Sequence, residues 1–105
     1  MSSPVFNFNS KVWIWQSNTP GSWHFVSLPK TLSSDIKELF HEQSKGFGSL
    51  KVEATIGSTS WKTSIFPDNK RKSYLLPIKK AVRDKEKIVS DKSVKVTIEI
   101  LLDDL

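Results

Sequence analysis

No cysteine occurs anywhere in the 105 residues. That excludes a disulfide framework, a thiolate nucleophile and a cysteine-ligated zinc site, and it fits a reducing compartment. No apolar run approaches the ~20 residues that a membrane-crossing helix needs. No basic segment leads into an apolar run at the N-terminus, so no export signal is read. A soluble cytoplasmic protein with no membrane partner is the expectation. Histidine is also scarce, with only His24 and His41. Neither belongs to a spaced cluster with acids, so no metal site and no cofactor are expected. Glycine is sparse, and Gly46-Phe47-Gly48 lacks the further glycine and lysine of a phosphate-binding loop. No nucleophile-elbow sequence surrounds any serine. A hydrolytic triad would need a serine, His24 and an acid to meet in space. Serines are too plentiful here to point to one. The sequence therefore leans away from an enzyme.

Apolar residues are few as well, at 37%. A globular domain usually reaches about 45–50%, although that range also counts glycine. The deficit is met by size. Four Trp and six Phe are present, and each large aromatic can bury on the order of 150–250 Å². The length fits one domain over residues 1–105, with fraying expected at 1–4 and 103–105.

The net charge is +5, and the excess is local. Lys70, Arg71, Lys72, Lys79, Lys80, Arg83, Lys85, Lys87, Lys92 and Lys95 face only Asp84, Glu86 and Asp91 in the same window. Such a patch attracts nucleic acid. Almost all of it is lysine, however, and arginine is the residue that reads phosphates and bases bidentately. A solvated basic surface is the favoured reading.

Along the chain, Phe6, Phe8, Val12 and Ile14 share one parity and Asn7, Asn9 and Lys11 the other, which predicts a half-buried strand. Trp13 and Trp15 break the pattern on the outer face. Either that end is covered on both faces or the tryptophans line a groove, and cover is favoured. Asn18-Thr19-Pro20-Gly21 predicts a turn. Trp23 to Leu28 carries apolar residues on both faces, as a strand buried on both sides does. Pro29 ends it. Ser33 is the expected N-cap of a helix running to about Gln43, with Asp35 in its first turn and Leu32, Ile36, Leu39 and Phe40 as its apolar stripe. Gly46 is the candidate C-terminal stop. Leu50, Val52, Ala54 and Ile56 alternate with polar residues as a strand. Gly57-Ser58 is a two-residue hairpin turn, and Thr59 to Phe66 is the return strand. Residues 67–72 form an exposed loop. Tyr74 to Leu76 is strand-like, and Pro77 opens a second helix with Ile78, Ala81 and Val82 as its stripe. After a turn at Ser90-Asp91-Lys92, Val94, Val96, Ile98, Ile100 and Leu102 alternate as the last strand.

One grammar occurs twice: strand, proline, amphipathic helix, alternating strand. It begins at Ser27-Leu28-Pro29-Lys30 and again at Leu75-Leu76-Pro77-Ile78. Six strands and two short helices cannot sandwich a large sheet. They predict a mainly β fold, a small closed six-stranded barrel with two capping helices.

Several motifs resemble the DUF1905 family. They are Trp13-Ile14-Trp15, the run from Gly21 to Pro29, Gly46-Phe47-Gly48-Ser49-Leu50, the run from Ile56 to Pro67, and the run from Tyr74 to Arg83. The resemblance spans about Phe6 to Leu101. It implies a double-split β-barrel in a bacterial and archaeal family with no established activity. That broad fold class includes the AbrB and MazE-like antitoxin DNA-binding folds. AbrB-type binding relies on a dimer of half-barrels, whereas this chain carries both halves, so a monomer is expected.

The most informative set is Trp23, Phe25, Ser60, Trp61, Thr63, Ser64, Phe66 and Tyr74. Aromatics mixed with hydroxyls suit a pocket that stacks a planar or apolar ligand and orients it. The competing reading is that they fill the barrel. The favoured function is a non-enzymatic binding module for a small molecule or a protein partner. The alternative is nucleic-acid binding through Lys70, Arg71, Lys72, Lys79, Lys80 and Arg83, supported by the fold analogy and by the basic segment over residues 70–95.

Overall fold

The computed structural model describes residues 4–15, 23–43 and 48–102. The predicted turn at 18–21 and the glycine stop at Gly46 lie outside them. Six strands are formed: β1 (Val5–Trp15), β2 (Trp23–Ser27), β3 (Leu50–Ile56), β4 (Thr59–Asp68), β5 (Ser73–Pro77) and β6 (Ser93–Ile100). Helix α1 (Lys30–Phe40) runs on into a 3₁₀ turn over His41–Gln43, and α2 (Lys80–Glu86) precedes β6. The strands close into an antiparallel barrel in the order β1-β2-β5-β4-β3-β6. This is the predicted architecture.

The core follows the period-2 pattern of the sequence. Val52, Ala54 and Ile56 of β3 and Val96, Ile98 and Ile100 of β6 all point inward and are buried. Gly57 takes φ +60° at the hairpin, and Ile56 pairs directly with Thr59. A Cβ at Gly57 would displace the flexible Glu86 carboxylate, so it is the positive φ that favours glycine there. β1 serves both sides of the barrel. Its residues up to Lys11 pair with β6, and from Val12 onward they pair with β2. Pro4, which the sequence placed in a fraying end, accepts a bond from Ile100 N (2.9 Å).

Several local expectations are corrected. Trp13 and Trp15 point outward without a second covering layer, and Trp15 is 51% exposed. β2 is not buried on both sides either. Val26 is fully buried, while Trp23 on the other face is 58% exposed. α1 begins at Lys30 with Pro29 at its cap position, so Ser33 lies inside the helix. Its side chain is buried because it serves tertiary structure: Tyr74 N donates to Ser33 Oγ (3.0 Å). Ser33, Ile36 and Phe40 make the buried stripe, and Leu39 is exposed. Pro77 closes β5 rather than opening α2, and Ala81 faces solvent. β4 continues through Pro67 to Asp68, so the exposed loop is shorter than expected. Leu102 lies past the end of β6 and is exposed.

The helices sit at opposite ends. α1 follows the end of β2 and packs beside β5, whereas α2 follows the end of β5 and packs beside β4. Because these strands are antiparallel, each helix closes one mouth of the barrel.

Candidate functional site

The wall of the barrel opens where two neighbouring strands differ in length. β4 has ten residues and β5 has five. Their ladder covers only Phe66↔Leu75, Pro67↔Tyr74 and Asp68↔Ser73. Beyond Leu75, β5 stays with β2 through Leu76 and Pro77, and Ile78 N still bonds His24 O (2.9 Å). The first half of β4 is left with no strand partner on that side. The gap forms a cleft of about 410 Å³.

Each wall of the cleft comes from a different element. β2 supplies Trp23 and His24, β4 supplies Trp61, Lys62 and Thr63, and the β5–α2 link with α2 supplies Ile78, Lys79 and Arg83. Trp61 is buried on the inward face of β4, which it shares with Thr63 and the fully buried Ile65. Arg83 is anchored to the link that precedes its helix, where its Nε donates to Ile78 O (3.2 Å). Its Nη1 lies 3.5 Å from His24 Nε2. A guanidinium can only donate, so in any hydrogen bond between the two His24 Nε2 is the acceptor. Three cations line the cleft, and among the described residues no carboxylate does. An aromatic floor with convergent positive charge is suited to a flat molecule carrying an anionic group.

Outside the cleft, aromatics tile the outer face of β1 and β2. Trp13 pairs with Phe25 and Trp15 with Trp23. The Trp13 and Phe25 rings are 5.2 Å apart, and Phe25 and Trp23 are stacked at 6.3 Å. Trp13 Nε1 donates to Ser27 Oγ (3.0 Å), and the Arg71 guanidinium lies 4.5 Å above the Trp13 ring.

The eight predicted ligand residues are therefore dispersed. Trp23, Trp61 and Thr63 meet in the cleft. Phe25 belongs to the outer aromatic face. Ser60 is exposed and bonded to Thr55 (2.7 Å). Ser64 and Phe66 share the outer face of β4, while Tyr74 is buried at the α1 end. The six basic residues divide as well. Lys70, Arg71 and Lys72 lie before β5, and Lys79, Lys80 and Arg83 after it. Arg71 is bound to Asp68 (2.6 Å) and Lys80 to Asp84 (2.7 Å). The Asp68 carboxyl is held below the usual carboxylate range, first by the Arg71 side chain.

His24 and Arg83 are the cleft residues that sequence reasoning passed over as ligand groups. A signal was present. Only two of the sixteen basic residues are arginine. Both occupy places where a planar guanidinium matters, one on an aromatic face and one on an imidazole.

Fold and cleft together define a small antiparallel β-barrel with a lateral opening in its wall. Residues 8–98 match the family described as a domain of unknown function, DUF1905. The chain belongs to that family, as its motifs indicated. No curated protein matches it. Among the described residues no helix is long and apolar enough to cross a membrane.

Proposed function

We propose that the protein is a non-enzymatic binding module, acting as a cytoplasmic monomer, and that the cleft between β2 and β4 takes a small planar anion. The observation that carries this reading is the opening left by the short β5, floored by Trp61 and lined by cations. The ring of the ligand stacks on Trp61 and the edge of Trp23. Its anionic group faces Arg83 and Lys79, and Thr63 supplies a hydroxyl. The alternative of nucleic-acid binding has weaker support. Its six basic residues flank β5 on both sides, a span of roughly 17 Å for five residues, and Arg71 and Lys80 already have ion-pair partners within the chain.

Benzoate titrated into ¹⁵N-labelled protein tests the reading. Shifts are expected at His24, Thr63 and Ile78 and at the Trp61 indole. They should weaken in Trp23→Ala and in Arg83→Gln. Trp23 is exposed, so its truncation leaves the fold intact. Shifts centred elsewhere, or unchanged in both variants, would remove the assignment.

A further inference from the structure

A second cleft, of about 480 Å³, lies at the opposite end of the barrel, under α1. Lys30, Ser33, Ser34 and Lys37 recur at helical spacing and form one side of it. Pro67 at the end of β4 and Asn69 and Lys72 of the β4–β5 connection form the other, and Tyr74 lines it from below. Two observations single this cleft out. First, Lys30, Lys37 and Lys72 make no ion pair with any described residue. The one carboxylate in the lining, Asp68, is taken: Lys70 N and Arg71 N donate to its Oδ1 (3.0 and 3.3 Å) and Arg71 Nη1 to its Oδ2 (2.6 Å). Second, Tyr74 as a whole is only 3% exposed, and its hydroxyl, which is not sealed off from the cleft, makes no hydrogen bond among the described residues. No described residue engages that hydroxyl, which leaves it able to donate to an acceptor in the cleft. Ser33 does not engage it, because its Oγ accepts from Tyr74 N and reaches Leu28 O.

We infer that this cleft is a second, independent site, which binds the dianionic phosphoryl group of a small phosphate monoester. The phosphoryl oxygens accept from Lys30, Lys37, Lys72 and the Tyr74 hydroxyl, and the organic body lies on Pro67 and the tyrosine ring. Burial raises the Tyr74 hydroxyl above its ordinary titration range, so it is a donor at neutral pH. Three ammonium groups match a dianion better than the single charge of a phosphodiester, which separates a free monoester from a nucleic-acid backbone.

The test uses phenyl phosphate as the probe, followed by amide shifts and calorimetry. Shifts are expected at Ser34, Asn69, Lys72 and Tyr74, with the benzoate-responsive residues around His24 unmoved. Lys37→Gln/Lys72→Gln touches only exposed side chains and should weaken binding by about tenfold. Tyr74→Phe should weaken it by about fivefold, with the melting temperature showing whether the fold survives. The methyl diester of phenyl phosphate should bind more weakly than the monoester. Equal affinity for the diester overturns the monoester assignment. Affinity indifferent to the double lysine variant, or shifts centred on His24 and Arg83, overturns the site itself. Failure of the benzoate titration leaves this inference untouched, because the two clefts share no residue.

Discussion

β3 pairs with β4 through seven residue pairs and with β6 through five, whereas β5 pairs with β2 and with β4 through three each. In β3 and β6 of the long-ladder side, apolar and polar residues alternate strictly, and a one-residue slip would turn their buried side chains to solvent. That side is specified by its pleat. The short-ladder side has apolar residues on both parities and too few backbone bonds to fix its register alone. Side chains do part of that work: Ser33 meets Tyr74 N, Ser10 Oγ donates to Ser27 O (2.8 Å), and Trp13 bonds Ser27. Both clefts border this side. A barrel of this size has no room in its packed lumen for a ligand, so openings arise where ladders stop early.

The comparison breaks most visibly at Ile98, which is fully buried on β6 between β1 and β3. Ile98→Ala should cost about 2–5 kcal/mol through lost burial and the cavity left behind. For a domain of this length that lowers the melting temperature by about 10 °C or more. Trp23→Ala, on the outer face of the short side, should stay within about 0.5 kcal/mol. Thermal melts of the two variants check this. Similar losses would mean that both sides are specified in the same way.

The long side was legible because its signal is local. Leu50 to Ile56 and Val94 to Ile100 each declare their buried face by alternation, and Gly57-Ser58 declares the register between β3 and β4. Closure followed from element count, and the motifs pointed to the family. The short side was not legible for two reasons. Apolar residues at Trp23, Phe25, Val26 and Leu28 do not say which parity faces in, so the outer aromatic face was read as covered. The cleft depends on the length mismatch between β4 and β5, which is a property of pairing between distant segments. Reading Pro77 as a helix start also hid where β5 ends. As a result Trp23, Trp61 and Thr63 were grouped correctly with one another in space, while Tyr74 belongs to the opposite mouth.

Ser33→Ala tests whether side chains hold the short side in place. Removing the hydroxyl leaves the Tyr74 N–H buried without its acceptor, at a cost of about 1–3 kcal/mol. The loss should also be local. Amide exchange should quicken at Tyr74 and Leu76 while Val52 and Ile98 keep their protection beyond the global change. A uniform loss of protection would show that β5 is no more dependent on side-chain support than β3.

The smallest expected effect concerns the tie between the two sides. Glu86, at the end of α2, accepts from Thr59 Oγ1 (2.5 Å) and from Ser58 Oγ (3.3 Å), and so fastens the helix that follows β5 to the β3–β4 hairpin. The bond from Thr59, more than any other influence, holds the Glu86 carboxyl below its ordinary value. A depressed carboxyl stabilises the fold above its unfolded-state value, about 4.3 for glutamate, and that stabilisation disappears as pH falls through the lower folded value. Asp68 is shifted in the same direction, so the acid limb of the wild type contains both groups. Comparing wild type with Glu86→Gln at each pH removes the shared part. The wild type should be the more stable at pH 6 and should lose that lead as pH falls below the unfolded-state value of about 4.3 and on through the lower folded value, because the neutral amide does not titrate. The lead is small, since the carboxyl is open to solvent and its hydrogen bonds compete with water. A lead that persists to pH 2 would mean that Glu86 acts through packing against Gly57 rather than through its charge.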